Sequence, residues 1–318
     1  MMQRRQRIHP AARQRGAALL TAMIIVTLVV TLASSMVWQQ WRAVQVEVAE
    51  RARAQAAWIL SGALDFAKLI LREDLKSNRP TALTEPWATP LAEARLSTFL
   101  AVDKSNTDDG PEAFLSGSIS DAQARYNLTN LLNKGKVDPQ ELATLERLCE
   151  AVGIETGVAQ RIADGLRDAT STEAGANAPL LPQTVAQLSW LGIDAASIKA
   201  LEPHVVLLPG VTAVNVNTAS REVLVAAIKG LDLATAERIL QVRQRTPFKT
   251  PQAFAEQFPT SAPLTAKLDT KSSFFEVRGR LRLADRVLAE RSLVRRLPNG
   301  QIDVLRRERV ASLEELAS

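Results

Sequence analysis

Few side chains in this sequence could carry out nucleophilic, acid–base or metal chemistry. The chain has one cysteine, Cys149, and two histidines, His9 and His204. Cys149 falls on the apolar side of a predicted helix, which favours a small buried side chain over a reactive thiol. With only two histidines and one cysteine, zinc sites and His-dependent triads are largely excluded, and no GxSxG, Walker or Rossmann signature is present. We therefore predict neither catalysis nor a cofactor.

An acidic cluster is the one group that could supply oxygen ligands to a cation. Its members are Asp103, Asp108, Asp109 and Glu112. Oxygen ligands suit calcium, but their spacing matches no EF-hand loop. The pattern favours a solvated loop, with a calcium site as the open alternative.

The net charge of +5 comes from the start of the chain. Residues 1–16 contain five arginines and no acidic residue, and the rest of the 318-residue chain has 34 basic and 34 acidic residues. A neutral body disfavours a polycationic nucleic-acid binder, although a local basic patch stays open.

Residues 17–41 contain no charged side chain. As a helix they would extend about 37 Å, enough to cross the hydrocarbon core of a membrane. Arginines precede the segment, and Trp38 and Trp41 mark its far end as an interfacial belt would. The positive-inside rule then predicts a single pass with a cytoplasmic amino terminus. A cleaved signal peptide is disfavoured by the long apolar run, whereas a plain uncleaved signal anchor stays open.

The run Arg13-Gln14-Arg15-Gly16-Ala17-Ala18-Leu19-Leu20 resembles the leader of type IV pilins and pseudopilins. The resemblance implies that a prepilin peptidase cuts between Gly16 and Ala17 and methylates the new amino terminus at Ala17. A glycine suits the site because a backbone without Cβ can approach catalytic groups closely.

Thr21 stands where most members of that family have glutamate, at the fifth residue of the mature chain. In pilins this carboxylate is thought to neutralise the amino terminus of a neighbouring subunit, since an unpaired charge in hydrocarbon is costly. The K-type minor pseudopilins of type II secretion are known for lacking it. The resemblance therefore implies a place at the tip of a fibre.

The remaining sequence predicts a helical stem, a sheet and a helical insertion. One apolar face of the stem is predicted, and Trp58 is expected in the core; the face consists of Val44, Val48, Ile59, Ala63, Ala67 and Ile70. The predicted segments are a leader at 1–16, a membrane helix at 17–41, a stem at 42–80, a first α/β part at 81–135, a helical insert at 136–266 and closing strands at 267–318.

The insert ends in a pattern similar to a helix-hairpin-helix, or SAM-like, unit. Asn217 and Thr218 are predicted to cap its first helix, and the hairpin between the helices is Gly230-Leu231-Asp232-Leu233. Such hairpins hold phosphate through backbone N–H groups. Because Asp232 places a carboxylate there, we expect no nucleic-acid binding.

After Lys271 the sequence alternates as in three antiparallel strands. Arg278, Arg280 and Arg282 share one face of the first strand, which predicts a solvated face, with a docking role as the alternative. Earlier in the chain, a predicted strand–turn–strand segment precedes a helix start. Its polar residues resemble the pattern of K-type pseudopilins: Asp121, Gln123, Arg125 and Asn127.

Taken as a whole, the chain resembles the K-type minor pseudopilins, with an α+β pilin-like fold interrupted by an all-α domain. The resemblance implies a bacterial inner-membrane protein whose globular part is periplasmic. It also implies contacts with I-type and J-type minor pseudopilins, the major pseudopilin, the prepilin peptidase and membrane lipid. Two alternatives stay open: a membrane-tethered helix-hairpin-helix DNA-binding protein, and a minor pilin of a DNA-uptake or type IV pilus system.

Overall fold

The computed structural model describes residues 14–96, 113–171, 179–259, 267–283 and 286–310. The chain divides into two compact units, Met1–Trp58 and Ile59–Ser318. The long helix α1, Gln14–Lys76, contributes residues to both units.

In the first unit, residues 17–41 of α1 carry no charge and their side chains are exposed. Among the described residues it is the one helix long and apolar enough to cross a membrane, with a mean hydropathy of 2.4 over its most apolar window. The hydroxyls of Thr27, Thr31 and Ser35 donate to carbonyl oxygens one turn earlier in the same helix. Such internal bonds satisfy polar groups where no water is available. The segment is therefore consistent with a single membrane pass.

The second unit contains one five-stranded antiparallel sheet in the order β1-β2-β9-β10-β11. Its strands are β1 Leu91–Arg95, β2 Ala113–Asp121, β9 Phe274–Leu283, β10 Arg286–Arg296 and β11 Ile302–Val310. The three closing strands predicted after Lys271 are confirmed. Strand β1 is not predicted from the sequence, because a strand of five residues with one bulge in its pairing shows little alternation.

Helix α1 packs one stripe of side chains on this sheet. The stripe is Leu60, Leu64, Ala67 and Leu71, each at most 7% exposed. It contacts Phe275, Val277 and Val294 on the central strands. A Cβ at Gly279 would lie 3.3 Å from the Cδ2 atom of Leu60, so the glycine lets the helix approach the sheet closely.

The stripe differs from the predicted one by about one residue. Ala67 is buried as expected, whereas Ile59, Ala63 and Ile70 are half-buried at its side. Trp58 is 79% exposed, so its placement in the core was wrong. Apolar residues occupy adjacent columns of this helix, and the helical period does not decide which column meets the sheet.

The chain leaves the sheet at Asp121 and returns to it at Phe274. The segment between these residues has its own core, in which Leu145, Ile162 and Leu224 are fully buried. Its helices are α2 Pro139–Ala151, α3 Gly157–Thr170, α4 Ala195–Leu201, α5 Arg221–Ala227, α6 Leu233–Arg245 and α7 Pro251–Gln257. The predicted domain limits at 136 and 266 stay predictions.

The insert is mainly helical but also holds two-residue strands. Two parallel pairs fasten its connecting segments, β3 with β6 and β7 with β8, and an antiparallel pair joins β4 to β5. They are β3 Tyr126–Asn127, β4 Leu132–Asn133, β5 Lys136–Val137, β6 Val205–Val206, β7 Val214–Asn215 and β8 Leu268–Asp269. Pairs this short leave no alternating pattern in the sequence, so an all-helical domain was expected.

Candidate assembly site and the junction of the helical insert

The predicted processing and assembly residues lie at the start of α1. Gly16, Ala17 and Thr21 belong to the same continuous helix. The hydroxyl of Thr21 donates to the carbonyl oxygen of Ala17, one turn earlier, at 2.5 Å. A threonine side chain carries no charge, and the single donor hydrogen of Thr21 is already used in this bond within its own helix.

Asp121 is the centre of a buried polar cluster where the insert leaves the sheet. Its Oδ2 atom accepts hydrogen bonds from Asn215 Nδ2 at 2.8 Å, Thr218 Oγ1 at 2.6 Å and Ser272 Oγ at 2.6 Å. Its Oδ1 atom accepts from the backbone N–H of Gln123 at 2.8 Å. Burial raises the pKa of Asp121, and these four donors oppose the rise. The Asp121 carboxyl therefore links the point where the chain leaves the sheet to Ser272, just before the chain returns to the sheet.

Gln123 and Asn127 extend this junction. Gln123 donates to the carbonyl oxygen of Ala213 at 3.1 Å and accepts from the N–H of Ser273 at 2.7 Å. Asn127 donates to the carbonyl oxygen of Gly210 and accepts from the N–H of Leu208. These side chains satisfy backbone groups of loops that no regular ladder reaches. Their role in the structure is to position the chain.

Arg125 joins the junction to the sheet through Glu276. The two side chains approach to 2.9 Å and are 17% and 8% exposed, and Arg278 holds the other oxygen of Glu276 at 2.8 Å. Burial alone would raise the pKa of Glu276, but the two guanidinium groups lower it to about 2. The four polar residues singled out in the sequence thus serve one structural junction, here called the clasp: Asp121, Gln123, Arg125 and Asn127.

Arg296 is a further junction residue that the sequence analysis missed. Its guanidinium donates to Asp74 Oδ2 at 2.5 Å, to the carbonyl oxygen of Leu71, to Thr81 Oγ1 and to the carbonyl oxygen of Ser272. It therefore connects the end of α1 with the strand that follows the insert. One arginine among many in an alternating strand gives no sequence signal for this role.

Glu85 lies beside Asp74, on the loop that follows α1. Burial, together with the hydrogen bond and the charge of Asp74, raises the pKa of Glu85 to about 7. Its Oε2 atom accepts a hydrogen bond from the indole N–H of Trp87, whose ring packs edge-on against Phe275 at 5.4 Å. The end of the stem therefore packs beside the carboxyl group of Glu85, which changes its charge near neutral pH.

The residues that could take part in metal or thiol chemistry are accounted for as follows. Among the described residues, no group of three His, Cys, Asp or Glu side chains could bind a metal. The acidic cluster of Asp103, Asp108, Asp109 and Glu112 lies outside the described residues, so the solvated loop stays the prediction and calcium binding stays the open alternative. Cys149 is buried as predicted, and burial raises the pKa of its thiol to about 11. The imidazole of His204 lies 3.2 Å from Ser220 Oγ, and burial lowers its pKa.

In the hairpin between α5 and α6, Gly230 has a φ of 82° and Asp232 caps the second helix. Asp232 accepts a hydrogen bond from the N–H of Thr235, and this bond lowers its pKa. The first helix is capped by Ser220 rather than by Asn217 and Thr218, so that predicted cap was wrong. Thr218 donates to Asp121 of the junction instead, and Asn217 bonds the backbone of Phe248 within the insert.

Comparison with known proteins places these features in one family. Two family models described as type II secretion system (T2SS), protein K, match residues 124–210 and 214–273. The type II secretion system protein K of Klebsiella pneumoniae is 32% identical over 82% of this chain and 83% of that protein. The one from Pseudomonas aeruginosa is 28% identical over 93% of this chain and 92% of that protein.

A solved structure shares the fold. It is the crystal structure of the GspK-GspI-GspJ complex from the enterotoxigenic Escherichia coli type 2 secretion system. The match has a TM-score of 0.62 at 20% identity and covers 83% of this chain and 99% of that chain. With the apolar helix, the antiparallel sheet and the clasped insert, these similarities show that the chain belongs to the type II secretion system protein K family and is a minor pseudopilin.

Proposed function

We propose that this minor pseudopilin occupies the tip of the pseudopilus, primes its assembly and so supports protein export across the outer membrane. The observation that carries the proposal is Thr21, which is neutral and bonded to its own helix. A subunit without a carboxylate at this position cannot neutralise the amino terminus of a neighbour above it. At the tip no such neighbour exists.

Processing by a prepilin peptidase precedes assembly. The enzyme cuts between Gly16 and Ala17 and methylates the amino terminus of Ala17. Before assembly the protein waits in the bacterial inner membrane with its amino terminus in the cytoplasm and its second unit in the periplasm. The five arginines before the apolar segment and the hydropathy of α1 support this topology.

The partners are the I-type and J-type minor pseudopilins, with the major pseudopilin below them. The E. coli complex of GspK with GspI and GspJ supports this choice. The stem also leaves apolar side chains available, because Phe66 is 56% and Leu69 is 54% exposed. Apolar residues on one face of a helix suit packing against the helix of a neighbouring subunit.

The insert favours a terminal position. It adds a second core beside the sheet, in which Leu148, Ile162 and Phe254 are fully buried. A protomer widened in this way is difficult to stack between neighbours in a helical fibre, whereas an end tolerates the added width.

Gold labelling of an epitope-tagged protein on sheared pseudopili tests the location. We expect label at one end of each fibre, for the wild type and for Thr21→Val alike, since the threonine hydroxyl bonds only within its own helix. Label distributed along the shaft would contradict the tip position.

Intact-mass analysis of protein extracted from its native membrane tests the processing separately. We expect the loss of residues 1–16 and the gain of one methyl group. Gly16→Val, a branched residue at the cleavage position, is expected to keep the full leader, and Ala18→Val serves as the matched control. A wild-type mass that includes all sixteen residues would contradict processing without bearing on location.

A further inference from the structure

The loop between α1 and β1 buries an acidic side chain that the proposed function does not use. This loop, residues 77–90, contains one turn of 3₁₀ helix at Pro86–Ala88. Glu85 directly precedes the turn and is 8% exposed, and Trp87 within the turn is 1% exposed. The indole N–H of Trp87 donates to Glu85 Oε2 at 3.1 Å. The two side chains are therefore buried as a pair.

Trp87 packs into the core between α1 and the sheet. Its ring meets Phe275 edge-on at 5.4 Å, and it shares an apolar cluster with Leu64 and Leu71 of the helix. Glu85 is only two positions away in the chain. A displacement of Glu85 into solvent would therefore also withdraw the Trp87 ring from this cluster.

The loop has a fastened first part and a second part that depends on the buried pair. In the first part, the backbone N–H of Thr81 donates to the carbonyl oxygen of Thr270 at 2.8 Å. Leu83, two residues further on, is exposed. The second part, residues 85–89, is here called the flap. The N–H groups of its residues 88 and 89 bond carbonyl oxygens of the same turn, so the two buried side chains attach the flap to the helix and the sheet.

Two carboxyl groups and one guanidinium group meet beneath the flap. Glu85 is hydrogen-bonded to Asp74 of α1, and Asp74 also accepts a bond from Arg296 of β10 at 2.5 Å. The side chains of Asp74 and Arg296 are 10% and 6% exposed. The other charged residue of the loop, Arg79, is exposed, and Lys271 before β9 bonds the start of the loop. Because Arg296 matches the charge of Asp74, the buried group of three is neutral only when Glu85 carries a proton.

We propose that Glu85 is a proton-operated latch, which holds the flap closed over the end of α1 while its carboxyl is protonated and releases the flap when it ionises. The protonated carboxyl donates to Asp74 and accepts from Trp87. The ionised carboxyl would face a second carboxylate in a site that water does not reach, which is costly unless the group moves out. The inference goes beyond the proposed function, because it needs neither the tip position nor the processing of the leader.

The direction of the pH response follows from the pKa of Glu85, which is about 7 in the closed flap and 4.5 in water. The closed flap binds the proton more tightly, so it is most stable below pH 4.5 and loses stability as the pH rises to 7. Between pH 5 and pH 8 the equilibrium constant for flap opening should therefore rise at least twentyfold.

Hydrogen–deuterium exchange of the full chain in detergent tests the proposal. It is read by mass spectrometry at pH 5, 6.5 and 8 and corrected for the intrinsic exchange rate at each pH. The reporters are the N–H groups of Ala88 and Thr89 in the flap. We expect their corrected rate to rise at least twentyfold over this range. At pH 8 it should exceed that of the central strand β9 at least tenfold, because the release is local.

Three variants separate the latch from a merely structural role. Glu85→Gln can make both hydrogen bonds but cannot ionise, so its flap should stay closed at every pH. Glu73→Gln is the matched control, since Glu73 is an exposed carboxylate of α1 paired with Lys76, and it should respond to pH as the wild type does. Trp87→Phe lacks the indole N–H that lowers the pKa of Glu85, and should move the midpoint of opening to higher pH.

Two results would overturn the proposal. One is a pH response of the flap that persists in Glu85→Gln, since the proton would then act at another group. The other is a flap that exchanges at the same corrected rate as β9 at pH 8, because the protein would then be opening as a whole.

Discussion

Replacing Glu276 by glutamine tests whether the buried ion pair stabilises the clasp. Glu276 is 8% exposed and is held by Arg125 and Arg278. Its pKa is lowered from 4.5 to about 2. Each pKa unit corresponds to about 1.4 kcal/mol of differential interaction, so the ionised carboxyl contributes about 3 kcal/mol to the free energy of unfolding at pH 7. Glu276→Gln should lose about that amount, because it leaves Arg125 without its counter-charge.

The pH dependence follows from the direction of that pKa difference. The contribution of Glu276 is fully present above pH 4.5 and is lost as the pH falls from 4.5 towards 2. The difference between wild type and variant should therefore shrink from about 3 kcal/mol at pH 7 to near zero at about pH 2. Urea unfolding of the full chain in detergent, followed by near-ultraviolet circular dichroism, measures it at each pH.

Glu93→Gln is the matched control on the same face of the sheet. Glu93 also pairs with two arginines, but its side chain is 35% exposed and solvent screens its charge. We expect a loss of about 1 kcal/mol or less. If Glu276→Gln cost no more than Glu93→Gln, or if its cost were unchanged down to pH 2, the assignment of the stabilisation to the buried pair would be refuted.

Three further outcomes are expected from other residues. The pKa of Glu85 is raised to about 7, so the free energy of unfolding of the wild type should fall as the pH rises from 4.5 to 7. Glu85→Gln should remove that fall. In the same unfolding assay the variant should be more stable than the wild type above pH 7, by up to about 3 kcal/mol. Cys149 should react with iodoacetamide only after unfolding, as read by mass spectrometry, and modification of the native protein would contradict its burial. Asp232→Ala should lower the free energy of unfolding through loss of the cap, whereas Asp232→Asn, which can still accept the hydrogen bond from Thr235, should be nearly neutral in the same unfolding assay.

The sequence alone predicts the elements whose residue pattern extends over many positions. The length of the uncharged segment identifies a membrane-length helix, and the alternation after Lys271 identifies three strands. The period alone left the stem ambiguous, and the leucines at 60, 64 and 71 are buried rather than their neighbours. Which column packs depends on the sheet, where Gly279 makes room for Leu60.

The clasp illustrates what the sequence could not provide. Asp121, Gln123, Arg125 and Asn127 were singled out by resemblance, but their partners are distant in the chain. Asp121 bonds residues 94, 97 and 151 positions away. No local pattern specifies such contacts, because burial in three dimensions determines which polar groups need partners. The same reason explains why Arg296 and Glu85 were missed.

Hydrogen bonds at the clasp connect the insert rigidly to the sheet. Asn215 and Thr218 of the insert bond Asp121, which also bonds Ser272, and the carbonyl oxygen of Ser272 accepts from Arg296. Arg296 in turn donates to the carbonyl oxygen of Leu71 and to Asp74 on α1. Asp121, Asn215, Thr218, Ser272 and Arg296 are buried and Asp74 is partly buried. A hinge at this point would therefore leave several buried polar groups unsatisfied, at a cost of about 1–3 kcal/mol each. A load applied to the insert is therefore transmitted to α1 rather than absorbed by a flexible linker, which suits the proposed position at the end of a fibre.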